Sequence, residues 1–152
     1  ILRTSWVYAA RGQNFPKTML RLAQERAELR VIDDQVGAPT GAELLADVTA
    51  HAIQALRRDA SLAGTYHVAA AGETSWHGLA RYTIDTARAL RPDLPWQVER
   101  IEAIGSADYP TPAPRPLNSR LDCSRLQAAF GLRLPAWQDG LRRMLAEILT
   151  PT

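Results

Sequence analysis

The segment from Val31 to Ile53, VIDDQVGAPTGAELLADVTAHAI, restricts the fold more than any other stretch of this chain. A short apolar run of strand type gives way to a Gly/Pro turn, and the turn opens directly into an amphipathic helix. Thr40 and Glu43 hold the T-x-x-E spacing of a capping box, in which each side chain can satisfy a backbone N–H at the helix start. Leu44, Leu45, Val48, Ala52, Ile53 and Leu56 then make one apolar stripe, so the spacing predicts a helix over 40–58. Such a unit belongs to proteins that alternate strands with helices.

The remainder of the chain keeps that alternation. Residues 1–8, ILRTSWVY, read as a strand that leaves a sheet through the polar turn AARGQN. Phe15, Met19, Leu22 and Ala23 share one face of a helix running to about Glu28, with Pro16 in its first turn, where a missing N–H costs nothing. LRVIDD and GTYHVAA read as further strands. Residues 75–90 read as a helix capped by Thr74 or Ser75, and WQVERIEAI alternates like a half-exposed strand. The stretch from Ser106 to Asp122 holds Pro110, Pro112, Pro114 and Pro116, which excludes helix and central strand. Asp122 then caps a short helix closed by Gly131, and Pro135 opens the last helix. The expected class is α/β.

Composition excludes several functions. With 46% apolar and 22% charged residues, a 152-residue chain can bury one core. The net charge of +2 and the absence of a dense Lys/Arg run argue against a nucleic-acid partner. No apolar run reaches the roughly 18 residues of a membrane span, and no signal-peptide pattern opens the chain. A single cysteine, Cys123, excludes an internal disulfide framework and suits a reducing cytoplasm. The chain opens at full apolar strength without an initiator Met, which reads as a fragment of something longer.

The nine glycines never stand two positions apart, so no G-x-G-x-x-G phosphate turn exists, and Lys17 carries no P-loop before it. A Tyr-x-x-x-Lys pair would need a tyrosine at position 13, which is Gln13. His51, His67 and His77 show no zinc-ligand spacing and read as packing or surface residues. Catalysis by this chain alone is not expected.

Four segments, LRTSWVYAARGQNF, DDQVGAPTGAELLAD, GTYHVAAAGETSW and YPTPAPRPLNSRLD, resemble in order the second half of the dTDP-4-dehydrorhamnose reductases, an extended short-chain dehydrogenase/reductase family. The resemblance implies the C-terminal strands of a Rossmann-type parallel sheet, near 1–8 and 64–70, plus a small α/β substrate-binding portion. The cofactor-binding N-terminal half, with its Gly-rich turn and Tyr/Lys pair, would lie upstream. The implied reaction reduces the 4-keto group of dTDP-6-deoxy-L-lyxo-4-hexulose with NADPH or NADH, in making cell-surface polysaccharide precursors.

Trp6 matches the family tryptophan that faces the sugar, and its flat indole suits a deoxysugar. Thr4 and Ser5 fall where the resemblance puts the nicotinamide. Asn14 and Phe15 match a region used for the nucleotide sugar. Gln35 ends a strand with an amide that can serve a phosphate or a base, whereas Asp34 reads as local turn chemistry. Arg115, stiffened between prolines, suits a diphosphate, with Asn118 and Ser119 following and Arg120 structural. Trp6 and Arg115 are therefore expected to converge on one cleft. Glu43 and Glu147 match positions that hold Mg2+ at a dimer contact in some family members, although helix capping alone explains Glu43. The expected partners are the dTDP-sugar, the N-terminal half and a second copy, since unpaired parallel edges invite self-association. The alternative is a non-catalytic regulatory subunit of the same family.

Overall fold

The computed structural model describes residues 1–109, 113 and 115–150. Its elements run β1 (Leu2–Arg3), β2 (Val7–Tyr8), α1 (Phe15–Glu25), β3 (Glu28–Ile32), β4 (Val36–Gly37), β5 (Thr40–Gly41), α2 (Ala42–Arg58), β6 (Tyr66–His67), β7 (Thr74–Ser75), α3 (Trp76–Leu90), β8 (Arg100–Ile104), α4 (Ser124–Phe130) and α5 (Trp137–Leu149). The strands form four two-stranded pairs. β1 with β6, β2 with β5 and β3 with β8 are parallel, and β4 with β7 is antiparallel. The expected α/β class holds.

The helices grow from the patterns that predict them. Asn14 caps α1 by accepting from the Lys17 N–H at 3.1 Å, and Ser75 caps α3 by accepting from Gly78 N–H at 2.9 Å. Asp122 accepts from Ser124 N–H at 2.9 Å one position before the cap of α4, which is Cys123 without a side-chain bond and not Asp122 as expected, and Gly131 closes α4 in the left-handed region. Three apolar clusters fuse these elements. Met19, Ala23, Leu29, Val31 and Ile84 bind α1, β3 and α3 together. Leu20, Leu79, Leu141 and Leu145 join α1, α3 and α5, while Val48, Val68, Leu126 and Phe130 join α2 to α4.

Four expectations change. The strand over residues 1–8 is broken at Trp6, whose φ of 52° turns the chain, so its two halves pair with different strands. α1 ends at Glu25, because Glu28 already opens β3. The strands read over 64–70 and 96–104 are paired only across Tyr66–His67 and Arg100–Ile104. The capping box does not form: α2 starts at Ala42, and its cap, Gly41, supplies no side-chain hydrogen bond. Thr40 lies in β5 with its hydroxyl fully buried, donating to Ala38 C=O at 3.0 Å and accepting from Ala70 N–H at 3.2 Å. A buried hydroxyl that satisfies two backbone groups is worth more there than at a wet helix end.

That difference is measurable. Thr40→Val keeps the shape but strands the Ala70 N–H and Ala38 C=O, and should cost about 2 kcal/mol in urea denaturation. Glu43→Ala, which removes an exposed pair and a first-turn charge, should cost less than about 1 kcal/mol. The reverse order would restore the capping box.

Candidate functional site

Parallel pairing leaves β3 with one open edge. The Arg100 N–H donates to Ala27 C=O and the Asp33 N–H to Ile104 C=O, so alternate residues Ala27, Leu29, Val31 and Asp33 face β8. Glu28, Arg30 and Ile32 must aim their backbone groups the other way, where no further strand joins among the described residues. A cleft of ≈ 670 Å³ lies there, within the range of small-molecule sites. Phe15, Met19 and Leu22 of α1, the β3 edge, Trp76 and Tyr109 line it. A second cavity, around Tyr8 and Trp137, measures only ≈ 100 Å³ and is too small for a nucleotide. Burial pushes the Tyr8 phenol well above its ordinary range, so it remains protonated.

Trp76 organises the walls of the larger cleft. Its indole stacks on Trp6 with centroids 3.7 Å apart and planes 15° off parallel, and it meets Phe15 at 4.7 Å. The Trp76 Nε1–H donates to Gln35 Oε1 at 3.2 Å, and Gln35 Nε2 donates to Ser106 Oγ at 2.9 Å. Ser106 Oγ in turn donates to Asp34 Oδ1 at 2.6 Å, while the Ser106 N–H reaches Oδ2 at 2.8 Å. These Ser106 hydrogen bonds hold the Asp34 carboxyl below its ordinary range. Asp34 thus closes a contact across 72 positions of sequence, where local turn chemistry was expected.

The other candidates separate into engaged and free. Asn14 spends its amide on capping, with Nδ2 donating to Ala9 C=O at 2.6 Å. Gln35 is buried with both amide ends in use. Ser5 Oγ donates to Ser119 C=O at 3.2 Å, and Thr4 is exposed. The Val36 N–H donates to Leu117 C=O and the Ser119 N–H to Val36 C=O, laying residues 117–119 beside β4. Asn118 Oδ1 accepts from Arg120 at 3.0 Å, and Arg120 pairs with Glu73. Arg115 is exposed, with no hydrogen bond or ion pair among the described residues, and it is not one of the residues lining the cleft. Of its described neighbours in sequence, Tyr109 lines the cleft and Leu117 lies beside β4. Pro110, Pro112 and Pro114, which were expected to stiffen that loop, lie outside the described residues.

So Trp6, Phe15 and Gln35 come together through Trp76, but neither Trp6 nor Arg115 is among the residues lining the cleft, so their expected convergence on one cleft is not seen. Trp76 and Ser106 are the residues that reading the sequence missed. An aromatic directly after a helix-capping serine was the available signal for Trp76, while Ser106 gave none. Glu43 faces Arg143 at 3.5 Å and Glu147 is exposed. No group of three acidic, His or Cys side chains among the described residues could hold a metal. The two glutamates do not by themselves make a Mg2+ site.

Residues 1–150 match the family profile described as RmlD substrate binding domain. The chain belongs to the RmlD substrate-binding domain family. It is 53% identical over 152 residues to dTDP-4-dehydrorhamnose reductase of Escherichia coli K12, covering all of this chain and 50% of that protein. The RmlD-type domain therefore spans about half the length of the curated relatives it matches. Among solved structures, a reductase ortholog from Clostridium acetobutylicum superposes with a TM-score of 0.84 at 30% identity, over 98% of this chain and 48% of that one. The Bacillus anthracis reductase in complex with NADP gives 0.80 at 34% identity, over 96% and 47%. These neighbours are Rossmann-like reductases, consistent with the parallel pairs of the RmlD-type domain.

Ser106→Ala should raise the Asp34 titration midpoint toward the ordinary carboxylate value, as followed by NMR. Because the folded value is depressed, the Ser106–Asp34 contact supports the fold fully above about pH 4 and fades as pH falls through that lower value. An unchanged midpoint would remove Ser106 as the cause.

Proposed function

We propose that this chain is the nucleotide-sugar-binding part of an NADPH-dependent dTDP-4-dehydrorhamnose reductase. The supporting observation is the cleft itself, an aromatic wall facing an unpaired strand edge, in a chain half-identical to such an enzyme. A thymine ring has a flat apolar face and an edge that alternates acceptor and donor. Phe15, Trp76 and Tyr109 offer the face, and the backbone N–H and C=O groups of Arg30 and Ile32 offer the matching edge.

From that base the diphosphate extends toward the loop carrying Arg115, whose unengaged guanidinium forks onto phosphate oxygens. Asn118, beside β4, borders the same path. The deoxysugar then reaches Trp6, next to Thr4 and Ser5 at the end of β1. Asn14 and Gln35 serve indirectly, one by starting α1 under Phe15 and the other by holding Trp76. Bound NADPH would supply the hydride to the 4-keto carbon, with the proton for its oxygen coming from an acid outside these residues, which carry no Gly-rich phosphate turn to hold the cofactor. This chain's own contribution is to bind and orient the sugar, which converts an encounter between two substrates into a positioned reaction.

β1 and β6 fit as part of a parallel sheet that the cofactor-binding half continues. The edge of β1 away from β6 is unpaired among the described residues, and Ile1 is 83% exposed. On its own, such an edge favours self-association.

The test uses the purified chain. At dTDP one hundred times its Kd, thermal unfolding should show about 2.7 kcal/mol of stabilisation. Arg115→Ala should weaken dTDP by about tenfold or more while leaving thymidine binding unchanged, since a charge-assisted contact is worth about 1.5–3 kcal/mol. The chain alone should oxidise no NADPH with the keto-sugar. Absence of any dTDP effect, or turnover by the chain alone, would refute this reading.

A further inference from the structure

The Trp6 indole is covered on both faces. A Cβ added to Gly37 would lie 2.7 Å from Trp6 Cε2 and 3.0 and 3.1 Å from its ring neighbours Cδ2 and Cζ2. A ring-fusion carbon as the nearest atom, with two of its three bonded neighbours only slightly farther, is the signature of an approach onto the ring face. Trp76 is stacked nearly parallel at 3.7 Å, which leaves no room for backbone between the two rings. Gly37 and Trp76 therefore hold opposite faces of the same indole, and neither face is free to lie on a sugar.

What Trp6 still offers is its edge. Among the described residues, its indole N–H has no hydrogen-bond partner and no buried side-chain polar atom lacks one. The N–H of this half-buried residue therefore reaches solvent, as a donor without an acceptor. Its direction is over-determined: the left-handed backbone at φ 52° fixes the side chain's origin, and Gly37 and Trp76 fix the ring plane. The Gln35 amide, anchored by Ser106, fixes Trp76 in turn. A residue other than glycine is strained in that backbone region and persists there only where its surroundings enforce it.

We propose that Trp6 meets the sugar with its indole N–H edge and not its face, and that Gly37 and Trp76 are the positioning residues that aim this donor. The inference rests on the nucleotide-sugar reading above and assigns the contact within it. An N–H fixed in direction selects for an oxygen at one place on the sugar ring. Because Trp76 also lines the base cleft, one side chain sets the spacing between base and sugar. Any side chain at position 37 larger than hydrogen would push the indole out of its slot.

The test is calorimetric titration of the chain with dTDP and with dTDP-L-rhamnose, comparing the two Kd values. The wild type should bind the sugar nucleotide at least tenfold more tightly than dTDP. Gly37→Ala and, separately, Trp6→Phe, which keeps an aromatic ring against Trp76 but has no N–H, should bring that ratio close to one. A tenfold preference that survives Trp6→Phe would overturn the edge donor, whether or not Gly37→Ala folds. Loss of dTDP and sugar-nucleotide binding by the same factor in Gly37→Ala would overturn the positioning role. A wild type that binds both ligands equally defeats this inference and leaves the nucleotide-binding reading standing. A wild type that binds neither defeats both.

Discussion

The contact between Trp6 and Trp76 holds the rest in place. A chain that enters as a parallel strand on β6 must turn sharply to place its next residues against β5, and Trp6 makes that turn in the left-handed region. The conformation is unfavourable for a bulky residue, and the stack with Trp76 offsets the cost. The Trp6 carbonyl then accepts the Thr40 N–H at 3.1 Å, which ties the turn to the segment that starts α2. Loosening the stack would let the two halves of the first strand straighten and would separate the two strand pairs they serve.

The same contact links architecture to chemistry. Trp76 is the first residue of α3, fixed by the Ser75 cap below and the Gln35 amide beside it. Its ring is shared between the cleft beside β3 and the face of Trp6. Ser106, in the loop after β8 and held by Asp34, braces Gln35, so that loop, the β3–β4 turn and α3 converge on one indole. A site assembled from elements so distant in sequence needs a common rigid piece, and a large aromatic with one satisfied N–H meets that need at small entropic cost.

How much of this the sequence disclosed follows from what kind of force decides each feature. α1, α3 and α4 were legible because apolar spacing and end signals act within a few residues, as the Ser75 cap and the left-handed Gly131 demonstrate. The capping box at Thr40 failed because a tertiary demand, the buried Ala70 N–H, outbid a local one. The break at Trp6 was illegible, since nothing near ILRTSWVY signals positive φ without glycine. Of the residues around Trp76, Trp6, Phe15 and Gln35 were singled out separately. Their common partner Trp76 was not, because the contact that unites them spans elements whose pairing no periodicity encodes.

The central claim is that the open edge of β3 and the Trp6–Trp76 pair bound one continuous nucleotide-sugar site. An amide and indole N–H spectrum of the nitrogen-15-labelled chain, recorded as dTDP-L-rhamnose is added, reads it directly. The Arg30 and Ile32 amides and the Trp6 indole N–H should shift together with one Kd, while α2 and α4 stay still. Shifts confined to α2, α4 or the surface around Glu73 and Arg120, with Arg30, Ile32 and Trp6 unmoved, would contradict it.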